Sequence, residues 1–226
     1  MDPPKRRHDG RKGRRMTDYI GELISRYPVL EPVQAEIEAA GELLKDCYRN
    51  RGKLLVAGNG GSSADSEHIV GELMKGFVKA RRISPEMAEK MIQADPKRGE
   101  LLAAKLQGAL PAIALTGHHS LSSAYANDED SCLVYAQQLY GYGKPGDVFL
   151  AISTSGNSEN VLMAAVAAKA LGIKVIALTG RDGGKLKELA DVSMIVPKEE
   201  TYQIQELHLP VYHALCLMLE ETFFDA

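Results

Sequence analysis

The chain has 226 residues, of which 45% are hydrophobic and 25% are charged, a balance typical of a globular protein with one well-buried core. Its net charge of -3 is unevenly distributed, because seven basic but only two acidic residues fall within the first fifteen. The rest of the chain carries 20 basic and 28 acidic residues. This acidic body argues against a nucleic-acid surface on the folded part.

The basic leader, residues 1–16, has two glycines and no apolar face, so we predict a disordered tail before a single domain over residues 17–226. Binding of this leader to nucleic acid or to an anionic membrane is the alternative. We find no signal-peptide pattern and no apolar run near the about 20 residues of a membrane span, and therefore expect a cytoplasmic protein. Cys47, Cys132 and Cys216 are widely separated in apolar or helical contexts, which predicts reduced packing residues.

Helical and extended patterns alternate along the chain. Two helices are predicted first, over residues 17–27 and 31–51, with Thr17 as a candidate cap and Pro32 in a first turn. Five short apolar runs then predict buried strands, with helical segments between and after them. The predicted strands are 53–57, 112–115, 148–152, 174–178 and 192–196, and the predicted helices are 62–77, 85–107, 131–140, 158–171, 184–190 and 201–223.

This alternation predicts an α/β fold with a mainly parallel five-stranded sheet covered by helices on both faces. Ligands of such sheets bind in the loops that follow the carboxyl ends of the strands. Three of these loops, 58–63, 153–158 and 179–184, are rich in glycine or in hydroxyl side chains, and we expect them to line one crevice. Segment 79–107 is long for a crossover and predicts a helical flap or packing arm of open role.

The composition of the loops favours a phosphate monoester as ligand. Loop GNGGSSA lacks the third glycine of a dinucleotide fingerprint, no nucleotide triphosphate loop is present, and loop 153–158 lacks the strained elbow of a serine hydrolase. Hydroxyls and unpaired N–H groups at a helix start suit one phosphate. Ser153, Ser155 and Ser158 are the candidate donors. The alternative interpretation is that Ser153 is only a turn residue and Ser158 only a helix cap.

Two helices carry ionisable residues at a spacing that suits metal binding. His68 and Glu72 are four residues apart and share one helical face. On the last helix, Gln205 and Glu206 are both candidate partners of His213, at about 80° and about 20° from it around the helix. These groups predict a zinc or similar divalent site, or an acid and base pair. Hydrogen-bonded structural histidines are the alternative.

Five motifs occur in order: GNGGSSADSEH, ANDED, AISTSGNSENV, LTGRDGGK and IQELHLPVYH. With them the chain resembles the sugar isomerase (SIS) domain family, and more narrowly it looks like the phosphoheptose isomerases of that family. The resemblance implies a flavodoxin-like, three-layer α/β/α sandwich, usually a homotetramer with active sites at subunit interfaces. It also implies conversion of sedoheptulose 7-phosphate to D-glycero-D-manno-heptose 7-phosphate through an enediol, in heptose biosynthesis.

The family's functional residues carry over onto matching positions. The resemblance implies Glu72 as the base and His213 as the acid and base on the sugar oxygens. It also implies one zinc ion per subunit, and it selects Gln205 over Glu206. The implied zinc ligands are His68, Glu72, Gln205 and His213. The implied substrate contacts are Asn59, Gly60, Gly61, Glu72, Asn127, Asp128, Ser153, Thr154, Ser155, Ser158 and Gln205.

Other functions stay open at this point. They are a non-enzymatic regulator that binds a phosphosugar, a protein that binds the replication initiator, and an isomerase of another phosphosugar. The presence of both Glu72 and His213 favours an enzyme, because the relative that binds the initiator lacks this pair. Two features depart from the family pattern: Tyr202 replaces an acidic residue that some members carry, and segment 79–107 is longer than in the shortest members.

Overall fold

The computed structural model of the chain describes residues 17–224, so the predicted basic tail over residues 1–16 lies outside the described residues. Helix α1 (Tyr19–Arg26) begins after Asp18, whose carboxylate accepts a hydrogen bond of 2.9 Å from the Gly21 N–H. The prediction of Thr17 as the cap was therefore wrong, because the neighbouring aspartate supplies the acceptor that the first turn needs.

A 3₁₀ helix (Pro28–Val33) connects α1 to α2 (Gln34–Arg49). Pro32 lies inside this tighter helix and not in the first turn of a single long helix, as the sequence had suggested. The 3₁₀ geometry suits a proline there, because such short connectors leave several N–H groups without a helical acceptor in any case.

Five parallel strands form one sheet in the described part of the chain, in the order β2-β1-β3-β4-β5. All five predicted strands are confirmed. This order is that of flavodoxin-like folds, in which the chain changes direction at β1 and β3 and leaves a crevice at their carboxyl ends. The strands are β1 (Leu54–Ala57), β2 (Ala112–Ala114), β3 (Val148–Ile152), β4 (Lys174–Thr179) and β5 (Val192–Ile195).

The hydrophobic core lies on both faces of the sheet. Alternate residues of each central strand point to opposite faces, so Val56 and Leu150 belong to one apolar cluster and Leu55 and Phe149 to the other. One face is covered by α1, α2, α3 (Gly61–Met74) and α10 (Thr201–Phe223), and the other by α7 (Val134–Tyr142), α8 (Glu159–Ala170) and α9 (Leu186–Leu189). This arrangement confirms the predicted three-layer α/β/α sandwich.

The long segment between β1 and β2 forms a helical hairpin of α4 (Pro85–Ala94) and α5 (Pro96–Lys105). Asp95 ends the first helix and caps the second by accepting from the Arg98 N–H at 2.8 Å, so the single run predicted over 85–107 is in fact two helices. Neither helix buries an apolar side chain, and Leu101 is 62% exposed. A backbone bridge between Arg82 and Gln107 closes the base of this hairpin.

The segment before α7 is also helical, which the sequence pattern missed. Helix α6 (His119–Tyr125) continues as a π-helical turn (Ala126–Asp130) and a 3₁₀ turn (Ser131–Leu133). Asp130 accepts from the Cys132 N–H at 2.7 Å and separates the π-helical turn from the 3₁₀ turn, and the regular helix α7 begins at residue 134 and not at the predicted 131. Among residues 17–224 we found no helix with both the length and the apolar character needed to cross a membrane.

Candidate functional site

The loops after β1 and β3 and the first turns of α10 surround a cavity of about 300 Å³. It lies at the carboxyl ends of the two central strands, where this topology predicts a ligand. The cavity contains seven of the predicted substrate contacts. Its lining residues are Asn59, Gly60, Gly61, Ser62, Ile152, Ser153, Thr154, Ser158, Thr201 and Gln205.

Glycines at the start of α3 let the backbone and a side-chain amide come together. Gly60 has a φ of 56°, a conformation that glycine adopts without steric cost, and α3 begins directly after it. A Cβ on Gly61 would lie 2.5 Å from Nε2 of Gln205, so only glycine leaves room for that amide. The N–H groups of Ser62 and Ser63 bond the carbonyls of Asn59 and Gly60, which leaves the backbone N–H groups of Gly60 and Gly61, at the cavity wall, as candidate donors to an anion.

Two serines of the second loop face each other inside the cavity. The hydroxyls of Ser153 and Ser158 lie 3.0 Å apart, and Ser153 is buried. Ser158 stands at the N-cap position of α8, yet its hydroxyl makes no capping hydrogen bond. Ser155 instead accepts from the Asn157 N–H at 3.2 Å within the turn. The capping interpretation therefore fails for Ser158. The turn interpretation fits Ser153, whose carbonyl accepts from the Gly156 N–H at 3.0 Å.

The third glycine-rich loop, 179–184, supports the second loop and does not line this cavity. Gly156 has a φ of 66°, and a Cβ there would collide with the carbonyl of Gly183. The Gly156 carbonyl accepts from the Leu186 N–H at 3.0 Å. The expectation that three loops line one crevice was therefore wrong for this loop, because it packs behind the serines.

Two residues that sequence reasoning missed hold Asn59 in place. Asn59 and Asn160 exchange amide hydrogen bonds of 2.8 and 2.9 Å. The hydroxyl of Tyr135 donates to the Gly58 carbonyl at 2.8 Å. The only sequence signal was the position of Asn160 in the first turn of the helix after the serine loop.

A second polar group lies further along α3 and α10. Nε2 of His68 is 3.2 Å from Oε1 of Glu72, and the ring centroids of His68 and His213 are 5.0 Å apart, with the rings nearly perpendicular. Lys75 contacts the other carboxylate oxygen of Glu72 at 3.0 Å. The structure therefore brings the predicted base and the predicted acid together, on two helices that are far apart in sequence.

Tyr212 connects the ring of His68 to the carboxylate of Asp65. The hydroxyl of Tyr212 lies 3.2 Å from Oδ1 of Asp65, to which it donates, and 3.0 Å from Nδ1 of His68. Burial first, and then the charge of Asp65, raises the pKa of Tyr212, so the phenol keeps its proton. Having donated to Asp65, the phenol oxygen accepts from Nδ1–H of His68. The other ring nitrogen, Nε2, faces the Glu72 carboxylate at 3.2 Å, a geometry in which the two groups can share a proton or bind a cation together.

His213 is half-buried and lacks a hydrogen-bond partner at Nε2 among the described residues. Its pKa lies below the usual histidine value, first because burial disfavours the charged ring and then because His68 is close. The ring is therefore a neutral imidazole with one unused nitrogen. The other deep histidine of α10, His208, is fully buried and bonds the Thr179 carbonyl at 3.2 Å, which marks it as structural.

These residues have the donor atoms that a metal ion needs, although their side chains are not arranged around one point. Within residues 17–224, no group of three His, Cys, Asp or Glu side chains is arranged to hold an ion. Gln205 lies about 12 Å along the axis of α10 from His213, since eight residues rise about 1.5 Å each. However, the free lone pairs of His68 and His213 beside the Glu72 carboxylate are nitrogen and oxygen donors of the kind that zinc prefers.

Four of the predicted substrate contacts, Glu72, Asn127, Asp128 and Ser155, do not line the cavity. Asn127 and Asp128 are exposed in the π-helical turn, and the Asn127 amide donates to the Asp128 carboxylate at 2.9 Å. Glu72, His68 and His213, which together form the ionisable group, do not line the cavity either. Within one chain, the phosphate-type contacts and the ionisable group are therefore two separate sets of residues.

Comparisons with known proteins agree with these features. The profile of the SIS domain matches residues 18–95 and 102–180. A phosphoheptose isomerase of a Nitratiruptor species is 38% identical over 195 residues, which is 86% of this chain and 90% of that protein. The phosphoheptose isomerase of Geotalea daltonii is 38% identical over 207 residues, with 90% and 94% covered.

Solved structures give the same result. The phosphoheptose isomerase of Neisseria gonorrhoeae superposes with a TM-score of 0.69 at 34% identity, covering 89% of this chain and 95% of that one. The enzyme of Francisella tularensis gives a TM-score of 0.71 at 31% identity, covering 89% and 94%. The chain therefore belongs to the SIS domain family, in its phosphoheptose isomerase branch.

Proposed function

We propose that the chain is a sugar-phosphate isomerase that converts sedoheptulose 7-phosphate to D-glycero-D-manno-heptose 7-phosphate. The observation that carries this proposal is the meeting of Glu72 with His68 and His213 on helices that also border a serine-lined cavity. A regulator that only binds a phosphosugar has no need of the ionisable group. Relatives named phosphoheptose isomerase, at 33 to 38% identity, support the same substrate.

The cavity suits the phosphate end of the sugar. Ser153 and Ser158 offer two hydroxyl donors, and the backbone at Gly60 and Gly61 adds N–H groups at the positive end of the α3 dipole. All these donors are neutral. The dianion therefore gains hydrogen bonds without a fixed ion pair, and the product can leave as readily as the substrate enters.

The ionisable group suits the proton transfers. In the direction from ketose to aldose, the Glu72 carboxylate takes a proton from C1, and a cis-enediol forms as the C2 oxygen gains a proton. The same carboxylate then returns a proton to C2 while the C1 oxygen loses its own. His213, a neutral imidazole, can both donate to and accept from these oxygens. Such positioned groups contribute about 10² to 10⁴ in rate each.

We also propose one zinc ion per subunit, held by His68, Glu72 and His213, with the long Gln205 side chain turning from the cavity along α10 to supply the fourth ligand. The position of His68 beside Glu72 and the unused Nε2 of His213 support this set. When bound, the ion supplies charge stabilisation for the negative oxygen of the enediolate. Asp65 and Tyr212 hold the His68 ring through Nδ1, so that Nε2 points at Glu72.

Because the cavity and the ionisable group are separate within one chain, we expect residues of more than one subunit to form the complete active site. We propose a homotetramer in which Asn127 and Asp128, which are exposed in one chain, reach the sugar bound to a neighbouring copy. The mass of the native particle, measured by light scattering, tests the number of copies. The expected cytoplasmic location stays a prediction.

The experiment for the activity is isomerisation in deuterated water with zinc supplied. We expect the aldose phosphate as product, with deuterium at C2, because a carboxylate that exchanges with solvent returns the proton. Sedoheptulose without its phosphate is the matched control, and we expect it to react far more slowly. Binding of the ketose phosphate without product or label would instead identify a phosphosugar-binding regulator. Product from another ketose phosphate alone would identify a different isomerase.

A further inference from the structure

A buried ion pair lies where α3 ends, next to the ionisable group but outside it. Nε of Arg81 donates to Oε1 of Glu220 at 2.7 Å, and both side chains are fully buried. Arg81 comes from the segment that follows α3, whereas Glu220 belongs to α10. The guanidinium also lies over the ring of Phe224, with 4.6 Å to the ring centroid.

Glu220 organises the backbone that follows α3. Its carboxylate accepts three consecutive N–H groups, from Phe77 at 2.8 Å, Val78 at 2.9 Å and Lys79 at 3.2 Å. Burial acts against the charge, but these bonds and the guanidinium of Arg81 hold the pKa of Glu220 below its usual value. The carboxylate therefore stays ionised, and the turn after α3 is fixed to α10.

Arg81 in turn holds the last residues of α3. Its Nη1 donates to the Leu73 carbonyl at 2.6 Å and its Nη2 to the Glu72 carbonyl at 2.8 Å. The helix leaves these terminal carbonyls without an internal partner. The residue that receives one of these hydrogen bonds is thus the one whose side chain we propose as the base.

The other partner of the ion pair is aligned with His213. Glu220 follows His213 by seven residues, so the two lie within about 20° on one face of α10. One guanidinium therefore connects the backbone of Glu72 to the helical face that carries His213. A buried ion pair adds little net stability, because desolvation offsets the attraction, whereas the rigid fork of arginine fixes direction.

We propose that Arg81 is a positioning residue, which sets the distance between the Glu72 carboxylate and the His213 imidazole through its bonds to Glu220 and to the Glu72 carbonyl. This inference rests on the proposed isomerase function. Arg81 is fully buried, so its side chain is not accessible to a substrate. Lysine cannot replace it, because one ammonium group cannot reach the carboxylate and both carbonyls in the same geometry.

The test compares Arg81→Lys with Lys53→Met, which removes another ion pair of a buried carboxylate, that of Asp147, at the opposite end of the strands. We expect Arg81→Lys to lower kcat about tenfold to a hundredfold, since a misplacement of about 1 Å can cost that much. KM should stay within about twofold, because the phosphate cavity is separate. Lys53→Met should lower the thermal midpoint and leave kcat unchanged. Equal kcat values in both variants would overturn the proposal.

Two further measurements keep the outcome clear. If Arg81→Lys does not fold, Glu220→Gln, which keeps the shape, is judged by the same kcat criterion. The histidine-ring ¹H–¹⁵N spectrum needs no substrate: we expect Arg81→Lys or Glu220→Gln to shift the His213 signals and Lys53→Met to leave them in place. Unmoved signals contradict the positioning role. Wild-type protein without turnover contradicts the proposed function instead, and the spectrum still decides the role of Arg81.

Discussion

The two functional regions of this molecule use the same helices but different chemistry. The cavity at the start of α3 and α10 is made of hydroxyls, amides and backbone N–H groups. Further along those helices, His68, Glu72 and His213 form a group of ionisable side chains, held by Asp65 and Tyr212.

The difference follows from the proposed role of each region, since the cavity binds a phosphate and the ionisable group transfers protons. A phosphate brings its own charge, so neutral donors at helix starts are sufficient to bind it. Proton transfer needs groups whose charge state is controlled, and burial provides that control for His213. If this division holds, changes in the cavity alter KM and changes in the ionisable group alter kcat.

Removal of the base is the strongest way to test this division. We expect Glu72→Gln to lower kcat by about 10² to 10⁴ while KM changes little, because the amide keeps the shape but cannot take a proton. We expect His213→Ala to lower kcat at least about tenfold. Glu67→Gln, on an exposed carboxylate of the same helix, is the control and should keep wild-type turnover. Steady-state kinetics measure all three, and full activity in Glu72→Gln would refute the assignment.

A pH titration tests the part of α10 between the two regions. Burial lowers the pKa of His208 to about 4, against 6.5 for an ordinary histidine. Above pH 6.5 the ring is neutral in both states, and as the pH falls towards 4 only the unfolded chain gains the proton. Stability is therefore lost on acidification, by about 3 kcal/mol from this one residue.

The free energy of unfolding in urea, measured from about pH 7 to about pH 4, checks this expectation. The variant His208→Gln keeps a donor for the Thr179 carbonyl but does not titrate. We expect a smaller loss of stability on acidification in this variant, by about the 3 kcal/mol assigned to the histidine. Parallel curves for wild type and variant would show that His208 is not responsible.

A methyl group at the start of α3 should disturb the cavity alone. We expect Gly61→Ala to raise KM about tenfold, because the new Cβ lies in the space of the Gln205 amide and loss of a well-placed polar contact costs up to about 1.4 kcal/mol. Gly71→Ala is a matched control on the same helix, since nothing lies within 4 Å of its Cβ position. That variant should keep KM and gain slight stability from helix propensity. A lower kcat with unchanged KM in Gly61→Ala would show that the cavity also affects the chemical step, which contradicts the division of roles between the two regions.

Single hydroxyl deletions should have the smallest effects. We expect Ser153→Ala to raise KM about fivefold, the loss of one neutral hydrogen bond. Ser155→Ala should raise KM less, because that hydroxyl is already used in the turn with Asn157. Kinetics with the ketose phosphate measure both. A larger effect at Ser155 would mean that its hydroxyl turns into the cavity when the sugar binds.

The sequence predicted the sheet well and the connecting helices less well. Each strand is a short apolar run, fully buried in β1 and β3 and partly exposed in the edge strands β2 and β5, so the apolar runs alone revealed all five. Helix α6 was missed because it buries no residue and so shows no apolar periodicity. The break at Asp95 was overlooked because the apolar spacing continues across it, although an aspartate before a proline is a capping signal.

For the site, the sequence predicted those features that depend on residues close together in the chain. The i to i+4 spacing of His68 and Glu72 and the serine loop were readable from the chain. The bond from Tyr212 to Asp65 joins residues 147 positions apart, and that from Arg81 to Glu220 joins residues 139 apart. Such contacts exist only once the helices pack, so no spacing rule could have found them.

The closed base of the α4 and α5 hairpin has an evolutionary consequence. Because Arg82 and Gln107 pair with each other, the chain departs from the domain and returns to it at one point. Residues can be added to or removed from this excursion without moving β2, and the entropic cost of a longer loop grows only slowly with its length. The protein therefore carries a place where new surface can be acquired while its catalytic framework stays untouched.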